Sequence, residues 1–327
     1  MALLEVDNLR LYYSTSKGQV KAVDGVSFEL DEGETLALVG ESGCGKSTIA
    51  KALIRLWERN VSSVNGEIRF EGRDILHISE EEFRTQYRWK KIAWVPQASM
   101  NSLNPVLTIG EQMIEPLVIH HGVDKGKALM QAMDMLEAVG LPRDTVRRYP
   151  HQLSGGMKQR VAIAMALILM PKLIMLDEPT SALDVITQAN IMNLLKRLRR
   201  EFKLTYIFIT HDLALASELA DSVAVMYAGK LVEWGSSDDI YVSPKHPYTV
   251  GLMGSVPTLR GEKKLTFMPG EVPSLINPPT GCRFYPRCPY FASRGELKGL
   301  CDRDEPPYID VEHKGARRHL VSCWLYK

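Results

Sequence analysis

Apolar positions fall first in short runs, then at helical spacing, then in alternation between the two, and each change of period marks a set of elements. Residues 3–6, 27–30 and 35–39 are short segments rich in apolar and β-branched residues, separated by turns containing Gly or Asp. The first 39 residues therefore read as strands. Residues 66–70, followed by Glu71-Gly72, read as another hairpin arm. From about Ser99 to Pro150 the texture changes. Leu129, Ala132, Met133, Leu136 and Val139 recur at helical spacing over 127–139, and Gly140-Leu141-Pro142 stops that helix. Residues 173–176 and 206–209 are continuous apolar runs suited to fully buried parallel strands. Between them, 187–202 sets Ile191, Leu194, Leu195 and Leu198 on one face of a crossover helix. Strands alternating with helices predict an α/β fold. After Gly235 the pattern gives way to a loop-like stretch that holds most of the 18 prolines, which predicts a boundary near residue 236. No internal repeat is visible.

Composition narrows the function classes. At about 150 residues per domain, 327 residues suggest two domains. Forty Lys+Arg against 39 Asp+Glu give a net charge of +1, with 45% hydrophobic residues. This is globular composition, and it excludes a disordered chain, a collagen or a polybasic nucleic-acid binder. The N-terminus lacks a basic stretch before an apolar one, so no signal peptide is expected. The longest apolar run, 161–170, stops at Pro171 and falls short of the roughly 18–20 residues of a membrane span. A soluble, cytoplasmic chain is expected, reaching a membrane only through a partner. Five cysteines are too few for a disulfide-stapled secreted module. Cys44 stands alone, whereas Cys282, Cys288, Cys301 and Cys323 crowd the end of the chain.

The strand at 35–39 runs into Gly40-Glu41-Ser42-Gly43-Cys44-Gly45-Lys46-Ser47-Thr48, and Ile49, Leu53 and Leu56 continue at helical spacing. This is the phosphate-binding loop G-x-x-x-x-G-K-[ST] in its strand–loop–helix setting. Glycines let successive backbone N–H groups turn toward phosphate oxygens, and the helix start adds partial positive charge. Lys46 is positioned to reach the β- and γ-phosphates and Ser47 to ligate Mg²⁺. The motif implies a nucleoside triphosphate. Cys44 reads as a small residue the loop tolerates rather than a reactive thiol. Further on, Leu173-Ile174-Met175-Leu176 ends in Asp177-Glu178, two carboxylates at the C-terminal end of a buried strand. Asp177 suits a Mg²⁺ partner and Glu178 a base that orients the attacking water. Leu153-Ser154-Gly155-Gly156-Met157-Lys158-Gln159 opens a helix with a Ser cap and two glycines, a second anion-binding end.

Leu-Ser-Gly-Gly-x-x-Gln resembles the signature of ATP-binding cassette (ABC) ATPases, and other markers of that family follow in order. Gln97 matches the Q-loop, Ser181-Ala182-Leu183-Asp184 the D-loop and Thr210-His211-Asp212 the switch histidine; Tyr13 sits where the family stacks an aromatic ring on adenine, with Tyr12 as the alternative. The resemblance covers residues 1–235. It implies a P-loop NTPase core of RecA type, an antiparallel β subdomain and a helical subdomain inserted at about 98–165. ATP would then be sandwiched in a head-to-tail dimer, between Tyr13, Gly40, Ser42, Gly43, Cys44, Gly45, Lys46, Ser47, Thr48 and Gln97 of one subunit and Ser154, Gly155, Gly156 and Gln159 of the other. Asp184 belongs to the D-loop. Mg²⁺ would be held through Ser47, Gln97 and Asp177, and Glu178 and His211 would be catalytic, His211 clamping the γ-phosphate.

Residues 236–327 carry His246-Pro247-Tyr248, Pro269-Gly270-Glu271-Val272-Pro273 and Gly281-Cys282-Arg283-Phe284-Tyr285-Pro286-Arg287-Cys288-Pro289. They resemble the C-terminal extension of ATPases from oligopeptide/dipeptide import systems, and the whole chain is similar to the D-type subunit of those systems. In relatives that keep four cysteines here the extension can hold a [4Fe–4S] cluster. From chemistry alone four thiolates suit Zn²⁺ or an Fe–S cluster, and the absence of C-x2–4-C pairs leans toward the cluster, with free or paired cysteines as the third alternative. His313 and His319 read as surface residues rather than ligands. The resemblance implies an ATP-hydrolysing importer subunit, peripheral on the inner face of the membrane. Its partners would be a second homologous ATPase or a second copy, two integral membrane permease subunits and, indirectly, an extracytoplasmic binding protein. Oligosaccharides and metals stand as alternative substrates. The rival is a soluble ABC ATPase of translation or DNA repair, disfavoured by the lack of tandem cassettes, coiled coils and a basic face.

Overall fold

The computed structural model describes residues 2–254, 268–311 and 317–327. The chain forms two compact units, one of Met1–Leu76 with Ile209–Lys327 and one of His77–Phe208. In the first unit it makes β1 (Ala2–Thr15), β2 (Gly18–Asp31), β3 (Thr35–Val39), α1 (Lys46–Leu53), β4 (Val61–Phe70) and β5 (Arg73–Asp74). In the second it makes α2 (Glu80–Gln86), β6 (Ile92–Val95), α3 (Ile109–His121), α4 (Lys125–Ala138), α5 (Gly155–Leu167), β7 (Leu173–Asp177) and α6 (Val185–Phe202). It returns to the first unit within β8 (Thr205–Thr210). There it adds α7 (Leu213–Leu219), β9 (Ser222–Tyr227), β10 (Lys230–Ser236), α8 (Ser237–Val242), α9 (Pro247–Gly254), α10 (Pro289–Ser293), β11 (Tyr308–Val311) and β12 (His319–Ser322).

The first unit holds an antiparallel sheet in the order β2-β1-β4-β5 and a row of strands in the order β11-β12-β10-β9-β3. β3 pairs parallel with β9, and every residue of both is buried. That is the burial a continuous apolar run predicts for a strand covered on both faces. In the second unit β6 pairs parallel with β7, whose five residues are all buried. The α/β expectation is met.

Helix boundaries move to where caps sit. The helix expected at 127–139 starts at Lys125, because Asp124 accepts hydrogen bonds from the Gly126 and Lys127 amides. The helix expected from 187 starts at Val185, capped by Asp184. The apolar run 161–170 lies in α5 only as far as Leu167, and Met170 turns to a left-handed φ of 51°.

The Pro-rich segment is not loop alone. It supplies helices α8 and α9 and the β11–β12 hairpin, which extends the strand row of the first unit through β12 on β10. Its Tyr248, Met253 and Phe284 pack with Val39, Val225, Tyr227 and Ile240 in one hydrophobic cluster. Composition marks a change near 236, but this segment folds into the same compact unit as β1–β5. His319, expected at the surface, is 1% exposed, and its Nε2 lies 2.7 Å from Glu233, itself fully buried. The strand pairing of β12 on β10 carries it inward. His313 lies outside the described residues. Among the described residues no helix is long and apolar enough to cross a membrane.

Candidate functional site

In the first unit β3 delivers the chain into the phosphate loop. Gly40, Gly43 and Gly45 have φ values of 148°, 78° and 111°. At Gly40 an added Cβ would stand 2.2 Å from the Met226 carbonyl oxygen, and at Gly45 2.2 Å from that of Ala22. The loop thus threads against the end of β9 and the backbone of β2 at Ala22, where only glycine fits. Helices α2 to α8 each have a side-chain cap, whereas α1, which leaves the loop at Lys46, has none. Its first-turn amides are the ones an anion would use.

Lys46 is buried, and its Nζ donates to the Gly40 carbonyl at 2.7 Å and the Glu41 carbonyl at 3.0 Å. These bonds hold the ammonium inside the curve of the loop. Cys44 is buried behind it, and burial pushes its thiol up against the opposing pull of the Lys46 charge. A protonated, buried thiol is inert, as expected for a residue the loop merely tolerates. Ser42 and Gly43 are exposed, and Gly45, Ser47 and Thr48 are partly so. Tyr13 shares a hydrogen bond with Thr48, and its hydroxyl is pushed up mainly by burial. Tyr12 is committed elsewhere, its Oη donating to Asp24 at 2.5 Å. Of the two tyrosines, Tyr13 is the one beside the loop. His211 is exposed at the end of β8.

In the second unit Asp177 ends β7 and is buried, and the next residue, Glu178, takes φ 48°. Gln97, at the end of β6, donates from Nε2 to Glu178 Oε2 at 2.7 Å. Ala98 and Ala182 also adopt left-handed φ values, 54° and 64°. Non-glycine residues held there cost roughly 1–3 kcal/mol each and cluster at functional sites. Three such residues adjoin three motifs singled out from sequence. Ser181 closes the turn after the strand by donating from Oγ to the Glu178 carbonyl at 2.9 Å.

Ser154 caps α5 by accepting from the Met157 amide at 3.3 Å, leaving Gly155 and Gly156 at the helix start. A Cβ on Gly156 would meet Thr187 Cγ2 at 2.7 Å, so the signature turn packs tightly on the start of α6. Asp184 caps α6 through Thr187, whose hydroxyl bond chiefly holds the carboxyl below its ordinary range. Gln159 faces inward: it is buried, and its Oε1 accepts from Ser99 Oγ at 3.0 Å. It ties the signature helix to the turn after Gln97.

All four tail cysteines are free thiols, Cys301 and Cys323 buried and Cys282 and Cys288 partly so. Burial pushes Cys282 and Cys323 up to about 12, and in both cases neighbouring cysteines add to the shift. The Cys282 amide donates to the Cys301 carbonyl at 2.8 Å. The thiols therefore converge. Among the described residues, however, no group of three or more His, Cys, Asp or Glu side chains is arranged to hold a metal ion.

Sequence reasoning missed three residues of this region: Arg283, Arg287 and Glu233. Arg287 forms a bidentate pair with Glu41 of the phosphate loop. Arg283 pairs with Asp24 and also donates to the Ala228 carbonyl. Burial is the largest influence on Asp24 and raises it, but the Tyr12 hydrogen bond and the Lys230 and Arg283 charges outweigh it and hold the carboxyl low. The fully buried Glu233 accepts from the Lys245 and His246 amides at 2.7 and 2.9 Å as well as contacting His319. No local pattern announces these contacts, which join residues as many as 259 positions apart.

Comparison with known proteins identifies the family. Residues 23–181 match the ABC transporter family model, and residues 232–294 match the family described as oligopeptide/dipeptide transporter, C-terminal region. The dipeptide transport ATP-binding protein DppD of Caldanaerobacter subterraneus is 44% identical over 99% of this chain and 97% of its own. The oligopeptide transport ATP-binding protein OppD of Bacillus subtilis is 45% identical over 99% and 88%. That of Salmonella typhimurium is 47% identical over 88% and 86%. Among solved structures, a dimeric ATP-binding cassette in a post-hydrolysis state with ADP and phosphate superposes with a TM-score of 0.64. It is 29% identical, over 72% of this chain and 98% of the cassette. CbiO1 of Clostridium perfringens, part of an ABC transporter complex, gives 0.64 at 28% identity over 77% and 95%. The fold is that of the P-loop ATPase cassette, and the chain belongs to the ATP-binding subunits of ABC transporters that carry the oligopeptide/dipeptide C-terminal region.

Proposed function

We propose that this chain binds and hydrolyses ATP to energise an importer of dipeptides or oligopeptides, working from the cytoplasmic side on two integral membrane subunits. The observation that carries the hydrolytic part is the Gln97–Glu178 hydrogen bond. Two residues 81 positions apart, each chosen from its motif, stand side chain to side chain at 2.7 Å beside left-handed backbone. In this reading Gly40–Thr48 bind the triphosphate, with Lys46 exchanging its carbonyl partners for phosphate oxygens. Tyr13 stacks on the base and His211 binds the γ-phosphate. From their motifs, Ser47, Gln97 and Asp177 would each offer a side-chain oxygen to Mg²⁺, and the ion would neutralise phosphate charge. Glu178 accepts a proton from water as its oxygen attacks the γ-phosphorus, releasing ADP and phosphate. Ser154, Gly155 and Gly156 act on the ATP of a partner subunit, a second copy or a homologue, with Gln159 bracing their helix from inside. Residues 1–235 are the nucleotide-binding domain, with 98–165 its helical part, and 236–327 the extension.

Turnover of ATP by the full-length chain tests this. Glu178→Gln is expected to retain ATP binding and to lose roughly 10²–10⁴ of the hydrolysis rate, the range of a general base. Unchanged turnover would contradict the assignment.

The cysteines form a separate part of the reading. Cys282, Cys288, Cys301 and Cys323 are candidate ligands of a [4Fe–4S] cluster, with Zn²⁺ as the alternative. The convergence of their thiols supports this, and the lack of a three-ligand group among the described residues weighs against it. Metal content after anaerobic purification decides: iron with visible charge-transfer absorbance, zinc without it, or neither, which removes both.

A further inference from the structure

Glu41 is a variable position of the phosphate loop, yet each of its polar groups has a partner. Its carbonyl accepts from Lys46 Nζ at 3.0 Å and from the Cys44 amide at 3.3 Å. Its amide donates to Tyr248 Oη at 2.9 Å. Its carboxylate takes the Arg287 guanidinium in a two-pronged pair, at 2.8 and 3.1 Å. Only the first set comes from the loop; Tyr248 and Arg287 both belong to the C-terminal extension, more than 200 positions away.

Those two side chains are themselves fixed. Tyr248 is fully buried, with its ring 4.6 Å from that of Tyr227 and 5.5 Å from that of Phe284. Arg287 donates from Nε to the Pro269 carbonyl at 3.0 Å and from Nη1 to Tyr227 Oη at 3.3 Å, and its guanidinium lies over the Tyr227 and Phe284 rings. Bidentate pairing fixes direction as well as distance, and a lysine cannot reproduce it. A loop that binds phosphate through backbone amides depends on where those amides point, and Glu41 is the second residue of the turn. Holding it in advance removes ordering that nucleotide would otherwise have to impose.

We propose that the C-terminal extension positions the phosphate loop, with Tyr248 and Arg287 as positioning residues that hold Glu41 and so set the affinity for nucleotide. The inference rests on the ATP-binding reading of the loop. It gives the extension a task in the ATPase cycle: any event that displaces the turn at 282–288 reaches the loop through Arg287.

The test measures binding of a fluorescent ATP analogue, KM and kcat for ATP, and nucleotide-free melting temperature on the full-length chain. Tyr248→Phe deletes one hydroxyl and keeps the ring. Arg287→Lys keeps the charge and loses the fork, and Glu41→Gln, Arg287→Gln and their double variant complete a cycle. The expected result is a rise of roughly tenfold in Kd and KM for Tyr248→Phe and Arg287→Lys, the scale of one hydrogen bond to a charged or buried partner. With it kcat stays within about twofold and the melting temperature falls by no more than a few degrees, because the loop is mispositioned rather than unfolded. The double variant is expected to be no weaker than either single one, as for residues acting through one contact. Wild-type affinity in both conservative variants, additive losses in the cycle, or an affinity loss only in step with melting would overturn the proposal. Lys46→Ala separates the two readings. If it alone loses nucleotide, the positioning role fails and ATP binding stands; if it too binds as wild type, the ATP-binding reading fails and takes this inference with it.

Discussion

His246 shows how much a single buried side chain can contribute. It is fully buried beside Glu233, its Nδ1 accepts from the Tyr248 amide at 3.1 Å, and burial pushes it down to about 4 although the Glu233 charge opposes this. The folded chain therefore keeps His246 neutral where an unfolded chain, with an ordinary histidine value near 6.5, begins to bind a proton. Stability from this residue is complete above about pH 6.5 and declines as pH falls toward 4, because there the unfolded state binds more protons. Melting temperature against pH should fall less steeply across that window in His246→Gln than in the wild type; parallel curves would contradict this. The residues proposed to bind phosphate are legible in the sequence, because a contiguous motif carries their chemistry. Gln97 and Glu178 were legible as motif members, but their hydrogen bond and the left-handed φ of Glu178 were not. Arg287, Arg283 and His319 were invisible or misread, since only the packing of distant strands and turns gives them partners.

At the scale of elements, the loop between β3 and α1 tolerates side chains unequally, and the space around each glycine says where. A Cβ on Gly40 would press into backbone of β9 that cannot move aside, whereas one on Gly43 would meet nothing within 4 Å. Both residues have positive φ, so alanine is strained at either. Gly40→Ala is expected to cost about 2–4 kcal/mol in chemical denaturation and to abolish nucleotide binding, while Gly43→Ala costs about 1–2 kcal/mol, the left-handed penalty alone. Equal losses would show that the contact with Met226 does not set the loop. Periodicity found the helices α4 and α6 and the strands β3, β7 and β8 within a few residues. It missed their starts because Asp124 and Asp184 begin the helices through caps rather than through the apolar face. The extension reads as loop-like in the sequence because its proline content masks short elements. The hairpin β11–β12 is held by its partner β10, a relation no local pattern encodes.

For the whole molecule, the charges nearly balance, and no helix among the described residues is long and apolar enough to cross a membrane. The chain contributes a phosphate loop, a carboxylate held by Gln97, a signature helix capped by Ser154, and an extension braced on the loop. In the proposed function these convert ATP hydrolysis into a cycle of binding and release that drives the membrane subunits, by shifting population between states. The most direct measurement is uptake of a labelled dipeptide or oligopeptide into vesicles that contain this chain assembled with its membrane subunits and binding protein. Uptake is expected to require ATP and to disappear with Glu178→Gln; uptake that continues without ATP, or persists in that variant, would contradict the proposed function.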